Sequence, residues 1–80
     1  MKQLEVLYFG SLRAQRGTGH EAIHTTAESP RALYLELSRQ HGFSLPVERI
    51  LFAVDDDYTE VDAPLPERGT LAIMPPLAGG

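Results

Sequence analysis

Between Ser29 and Gly42 the sequence carries start and stop signals for one helix, and nothing else in the chain is punctuated so clearly. Ser29 offers a side-chain acceptor for the first turn, Pro30 fits the first helical position, and Gly42 fits just past the end. No Glu or Gln stands three residues after Ser29, so a reciprocal capping box is absent. Leu33 and Leu37 lie four apart on one face, with Tyr34 beside them. Leu35 points to the opposite side and reads as a scattered exposed leucine. A single amphipathic helix has to be covered by something else, and the remaining apolar residues have the pattern of strands.

Leu4-Glu5-Val6-Leu7-Tyr8-Phe9 is rich in β-formers and stops at Gly10. Period two puts Leu4, Val6 and Tyr8 on one face, Leu7 and Phe9 on the other. Ser11 to Gly19 reads as a loop with room for a short turn of helix at its start. His20 to Thr26 reads as a second strand, hairpin-paired with the first, although Ile23 is its one strong strand former. Ile50 to Val54 is a continuous apolar run of strand length. Asp55-Asp56-Asp57 breaks it, Tyr58 to Val61 offers a short return strand, residues 62–69 read as loop, and Thr70 to Met74 is a last strand stopped by Pro75-Pro76. The order β-β-α-β-(β)-β is the plan of an α+β, β-grasp (ubiquitin-like) domain: a mixed sheet of four to five strands on one main helix. The expected layout is a domain over residues 1–74 and a flexible C-terminal tail over 75–80.

A chain of 80 residues buries only about 60% of its unfolded surface, which favours a binding module or carrier over an enzyme with an internal site. Its formal net charge of -4 argues against a nucleic-acid partner. The absence of cysteine excludes disulfides and thiolate-ligated metals. The start, with Glu5 where a leader would need apolar residues, and the lack of a long apolar stretch point to a cytoplasmic protein without a membrane partner.

No internal constellation carries chemistry. His20 and His24 share a strand face but stand about 13 Å apart, too far to hold one ion, and with His41 they read as surface histidines. The three consecutive acids 55–57 lack the alternation, the central Gly and the distal Glu of a calcium loop, and read as a solvated turn. The serines lack a nucleophile-elbow pattern, and Gly17-x-Gly19 lacks the rest of a phosphate loop. No metal site is expected.

The end of the chain, Pro75-Pro76-Leu77-Ala78-Gly79-Gly80, is different. The prolines cannot continue a ladder as donors and hold an extended backbone that projects the following residues off the last strand. Six residues reach at most about 20 Å. Gly79 and Gly80, without a Cβ, can enter a narrow channel. The Gly80 carboxylate is unhindered, and Leu77 supplies an apolar anchor behind it. A carboxylate becomes an electrophile once converted to a mixed anhydride, and a chain without cysteine has no internal thiol to attack it.

Three segments together resemble the ubiquitin-like sulfur carriers, in particular the MoaD-type small subunit of molybdopterin synthase. They are Val6-Leu7-Tyr8-Phe9-Gly10-Ser11-Leu12-Arg13, Phe52-Ala53-Val54, and Ala72-Ile73-Met74-Pro75-Pro76-Leu77-Ala78-Gly79-Gly80. The resemblance implies that an E1-like, MoeB-type enzyme adenylates Gly80 with ATP and that sulfur then replaces the adenylate as a C-terminal thiocarboxylate. It further implies that the tail enters a MoaE-type large subunit, in a heterotetramer, and donates sulfur to cyclic pyranopterin monophosphate. The resemblance implies a carrier that binds no cofactor of its own, with catalytic groups expected on the large subunit. By the same resemblance Gly79 would give access, Pro75, Pro76, Leu77 and Ala78 would form the inserted tail, and Phe9, Arg13, Tyr58 and Met74 match partner-contact positions. Met74 stands where the family often has an aromatic, Asp55 where it often has Asn, and Arg68-Gly69-Thr70 departs from its usual turn. Other acceptors (tRNA, thiamin or amino-acid precursors) and conjugation to lysines, as in ubiquitin-like modifiers, are the alternatives.

Overall fold

The structure, a computed structural model, describes residues 1–76. In chain order the elements are β1 (Lys2–Tyr8), α1 (Gly10–Arg16), β2 (His20–Thr25), α2 (Pro30–His41), a 3₁₀ turn (Val47–Arg49), β3 (Leu51–Val54), β4 (Asp57–Thr59) and β5 (Arg68–Met74). The five strands form one mixed sheet in the order β2-β1-β5-β3-β4. β1 and β5 run parallel at its centre, with Val6 beside Leu71 and Tyr8 beside Ile73. The other three pairings are antiparallel. This is the β-grasp arrangement expected from the sequence.

α2 starts and stops where its punctuation says. The Ser29 hydroxyl accepts the Ala32 N–H at 3.1 Å, and Gly42, at φ 71°, donates to the Ser38 carbonyl at 2.7 Å. Leu33, Tyr34 and Leu37 are buried against Leu4, Val6, Tyr8, Phe52, Leu71 and Ile73 of the sheet, while Leu35 is exposed. Phe43 joins the layers, its ring 5.6 Å from Tyr34 and 5.8 Å from Tyr8. Burying the Tyr34 phenol requires a partner, and its hydroxyl donates to the Leu45 carbonyl at 2.6 Å.

The segment read as a loop after the first strand is mostly helix α1, so β1 and β2 are joined by a helix and not a plain hairpin loop. Its N-cap is Phe9, which makes no side-chain cap bond, and its first turn holds no acidic residue, so the usual start signals are missing. Its C-terminal signals were present: Arg13 and Arg16 in the last turn, then Gly17 at φ 85°. Leu12 is fully buried and fixes the helix to the core. Gln15 adds a two-way bond to Ser44, its Nε2 donating to Oγ at 2.8 Å and its Oε1 accepting the Ser44 N–H at 3.0 Å.

Strand limits shift for identifiable reasons. Ile50 ends the 3₁₀ turn by donating to the Val47 carbonyl at 3.1 Å, so β3 begins at Leu51. β5 begins two residues early, at Arg68, because its start pairs with Gln3 of β1. The return strand covers Asp57–Thr59 and not 58–61, because a two-residue turn at Asp55 (φ 49°) and Asp56 (φ 75°) sends the chain straight back.

A polar cluster ties α1 to the sheet. Arg16 donates from Nε and its Nη2 to the two Glu21 carboxylate oxygens, both at 2.8 Å, and the Tyr8 hydroxyl donates to Oε2 at 2.5 Å. The Arg16 guanidinium holds the Glu21 carboxyl down at about 2, and burial pushes the Tyr8 phenol well above its ordinary range, with Glu21 adding to the shift. A carboxylate whose pKa is lowered by folding stabilises the native state above its ordinary pKa, and the contribution fades as pH falls toward the folded value. Wild type is therefore expected to lose about 1–3 kcal/mol between pH 5 and pH 2 that Glu21→Gln does not lose, the pair being partly wetted. Denaturant unfolding of both proteins across this range checks it, and parallel pH profiles would refute it.

Candidate functional site

The sheet has one face under α2 and one open face, and alternation decides what each strand shows. On β5 Leu71 and Ile73 turn inward, and Met74 turns out. Met74 pairs with Leu51 of β3, which is 48% exposed while its neighbour Phe52 is buried. Tyr58 of β4, opposite Ala53, is 77% exposed. Phe9 follows the end of β1 in extended conformation (φ -128°, ψ 157°) and is 44% exposed. Its exposure agrees with its place on the face opposite Leu4, Val6 and Tyr8.

These side chains meet. Phe9, Gly10, Leu51, Tyr58, Met74, Pro75 and Pro76 line an open groove of about 330 Å³. Three of the five exposed large hydrophobic residues among the described ones, Phe9, Leu51 and Tyr58, are in it. Apolar side chains gathered in this way mark a binding surface more than isolated exposed ones do. The Tyr58 phenol is the one titratable side chain among the described residues that line the groove. Its far wall is Pro75 and Pro76, the last described residues, so the groove and the origin of the C-terminal segment are one place.

Of the residues singled out in the sequence, Phe9, Tyr58, Met74, Pro75 and Pro76 converge here. Arg13 does not. It lines a larger open groove of about 710 Å³ on the other side of Phe9, with Leu7, Gly17, Thr18, Gly19 and His20. Its guanidinium lies across Gly19, where a Cβ would stand 3.2 Å from Nε. Arg13 thus borders the apolar groove from outside. Leu77, Ala78, Gly79 and Gly80 lie outside the described residues. Leu51 and Gly10 are the lining residues that sequence reasoning did not single out as contacts.

The remaining candidates have structural occupations. His20 shares a 2.8 Å contact between Nδ1 and Glu5 Oε2, His24 is exposed, and the His41 ring lies 6.0 Å from Phe43. Among the described residues no group of three potential ligands converges on a metal position. Nor is any described helix long and apolar enough to cross a membrane.

Asp55 does more than form a solvated turn. Its backbone N–H donates to the Thr70 carbonyl at 2.9 Å, and its Oδ1 accepts the Thr70 N–H at 2.9 Å. Gly69 makes room, since a Cβ there would come within 2.9 Å of the same carboxylate. The latch fixes the β3–β4 turn to β5 and so sets where Tyr58 stands. Asn keeps both the acceptor and the tolerance for positive φ. Asp55→Asn is expected to stay within about 0.5 kcal/mol of wild type, whereas Asp55→Ala, which loses both, is expected to cost about 1–3 kcal/mol. Equal midpoints for the two variants in urea would show that the latch contributes nothing.

Comparison with known proteins agrees with this architecture. The ThiS family profile matches residues 6–80. No curated protein sequence matches the chain significantly. Among solved structures, a putative molybdopterin converting factor subunit 1 from Pyrococcus furiosus superposes with a TM-score of 0.76 at 21% identity, covering 96% of this chain and 100% of that one. Small archaeal modifier protein 1 from Methanosarcina acetivorans gives 0.77 at 19% identity, covering 100% and 98%. A protein–protein complex of subunits 1 and 2 of the molybdopterin-converting factor from Helicobacter pylori gives 0.66 at 22% identity, covering 98% and 99%. At such identities the superpositions establish the fold, and the profile match over nearly the whole chain establishes the family. The chain belongs to the ThiS family of ubiquitin-like sulfur carriers.

Proposed function

We propose that the chain carries sulfur on the carboxyl group of Gly80 for molybdopterin synthesis. The observation that carries this reading is the exposed apolar groove whose wall is the start of the Gly-Gly segment. A partner that grips Phe9, Leu51, Tyr58 and Met74 thereby holds the root of the segment that has to enter its active site. The chemistry is simple. The Gly80 carboxylate attacks the α-phosphate of ATP on an E1-like enzyme and releases pyrophosphate. A sulfur nucleophile then displaces AMP, leaving the thiocarboxylate. In the large synthase subunit the thiocarboxylate sulfur attacks cyclic pyranopterin monophosphate and displaces an oxygen substituent, and water then cleaves the acyl–sulfur bond, leaving sulfur on the pterin and a carboxylate on Gly80. This chain supplies the carrier atom and the docking surface, and the large subunit supplies the catalytic groups.

The Helicobacter pylori structure, a complex of subunits 1 and 2, supports a large-subunit partner. The likeness to small archaeal modifier protein 1 favours a second reading, in which Gly80 is joined to lysines of other proteins. Intact mass spectrometry of the chain from its native cells separates the two. Sulfur in place of oxygen adds about 16 Da at the terminus, whereas conjugation gives branched peptides ending in Gly-Gly. A terminus that stays a plain carboxylate in cells making molybdopterin would overturn the carrier reading.

A further inference from the structure

The contact between Gly10 and Pro75 joins the two ends of the fold at the edge of the groove. β1 and β5 run side by side as far as Tyr8 and Ile73, and then separate. β1 leaves through Phe9 into α1. β5 continues one residue further, with Met74 still paired to Leu51. Pro75 follows with no N–H to donate and no register partner. Its neighbour is Gly10, which takes φ 56° and presents no side chain; a Cβ there would stand 2.8 Å from Pro75 Cγ and 3.5 Å from Cδ.

Real Cβ atoms essentially never approach as closely as 2.8 Å, so a side chain at position 10 displaces the ring or the start of α1. The α1 start is anchored by fully buried Leu12. Pro75 is only half-buried and lies beyond the last register pair, and its fixed φ passes any displacement on to Pro76 as a change of direction. We propose that Gly10 is a positioning residue for the C-terminal segment: its missing side chain lets Pro75 seat against the start of α1, which fixes the direction in which the chain leaves the groove. The effect on activation rests on the carrier reading above, whereas the effect on direction does not.

Two features of Gly10, positive φ and lack of a Cβ, have to be separated. Asparagine tolerates positive φ and still brings a Cβ. Gly10→Asn therefore tests the contact with little backbone strain, and Pro75→Ala removes the ring atom it would strike. The four combinations of these two substitutions are made in a chain carrying Leu77→Cys with a nitroxide label, which is specific because the sequence has no other cysteine. Paramagnetic broadening of amides around the groove reports the exit direction. Gly10→Asn is expected to redistribute the broadening when Pro75 is present and to change it far less in the Pro75→Ala background, while amides of the core keep their shifts. The same four combinations without the label are assayed for ATP-dependent adenylation by an E1-like enzyme. A misdirected segment lowers the docking-competent fraction, so Gly10→Asn is expected to raise KM about ten-fold with kcat within about two-fold. Identical broadening in wild type and Gly10→Asn, or an equal change in both backgrounds, would overturn the proposal. Failure of the wild type to be adenylated would count against the carrier reading, and the broadening pattern would still decide the role of Gly10.

Discussion

A chain lacking Gly80 is expected to lose sulfur transfer completely while melting at the temperature of the intact protein. Stability should not change because the innermost residues end at Ile73 and the last register pair at Met74. The loss of transfer follows from geometry. Removing one residue draws the terminal carbonyl back by about 3.3–3.6 Å. In positioned reactions a misplacement of about 1 Å already costs about a hundred-fold. A carboxylate left on Gly79 therefore sits several times farther from the attacking position than the reaction tolerates. An uncleaved extension past Gly80 is expected to be as inactive, since the reacting carboxylate becomes an amide. Single-turnover transfer and thermal melts on both variants check this. Full activity in an extended chain shown by mass to be uncleaved would place the reactive group elsewhere.

How much of this could be read in advance depended on where the information lay along the chain. α2 was legible because both of its ends are marked by local chemistry, the Ser29 cap and the Gly42 left-handed stop. α1 was hidden for the converse reason. It has seven residues, a phenylalanine at its N-cap and no acid in its first turn, and it persists because Leu12 is buried under it and Arg16 is held by Glu21. Short helices draw their stability from packing, which a local pattern does not display.

The candidate site divides in the same way. Phe9 was legible from strand alternation because Leu4, Val6 and Tyr8 fix the buried face. Leu51 was not, because Ile50 to Val54 is apolar throughout and period two cannot be read from a continuous run. Its exposure follows from its place beside the open groove, where it pairs with half-buried Met74. Asp55 looked like one of three solvated acids because its role depends on the Thr70 N–H, 15 residues away. Gly10 read only as the end of a strand, and its second neighbour, Pro75, stands near the other end of the chain. Local propensity recovered the elements, and contacts between distant segments made the site.

Leu51 is the residue on which the groove can be tested most severely. It is nearly half exposed, so the free domain should accept a polar side chain there; an unfavourable strand residue at such a position costs up to about 1 kcal/mol. If the groove is the docking surface, a bound partner encloses the same position together with Phe9, Tyr58 and Met74. A carboxylate placed there loses its water and gains no cation from this chain's side of the groove, since Arg13 lies beyond Phe9. An uncompensated charge buried at an interface costs several kcal/mol. Leu51→Asp is therefore expected to weaken partner binding by about a hundred- to a thousand-fold, taking each 1.4 kcal/mol as one decade. Phe9→Ala, which removes contact area without adding charge, is expected to cost about 2 kcal/mol, or roughly thirty-fold. The ordering matters more than either value. If the groove is the docking surface, a charge at Leu51 hurts more than truncation of the larger Phe9; if it merely lies beside the true interface, both variants bind as wild type does. Titration calorimetry against the large subunit, with melting curves for each variant, decides between these outcomes. Wild-type affinity for folded Leu51→Asp would move the docking surface away from the groove, toward the side that carries Arg13.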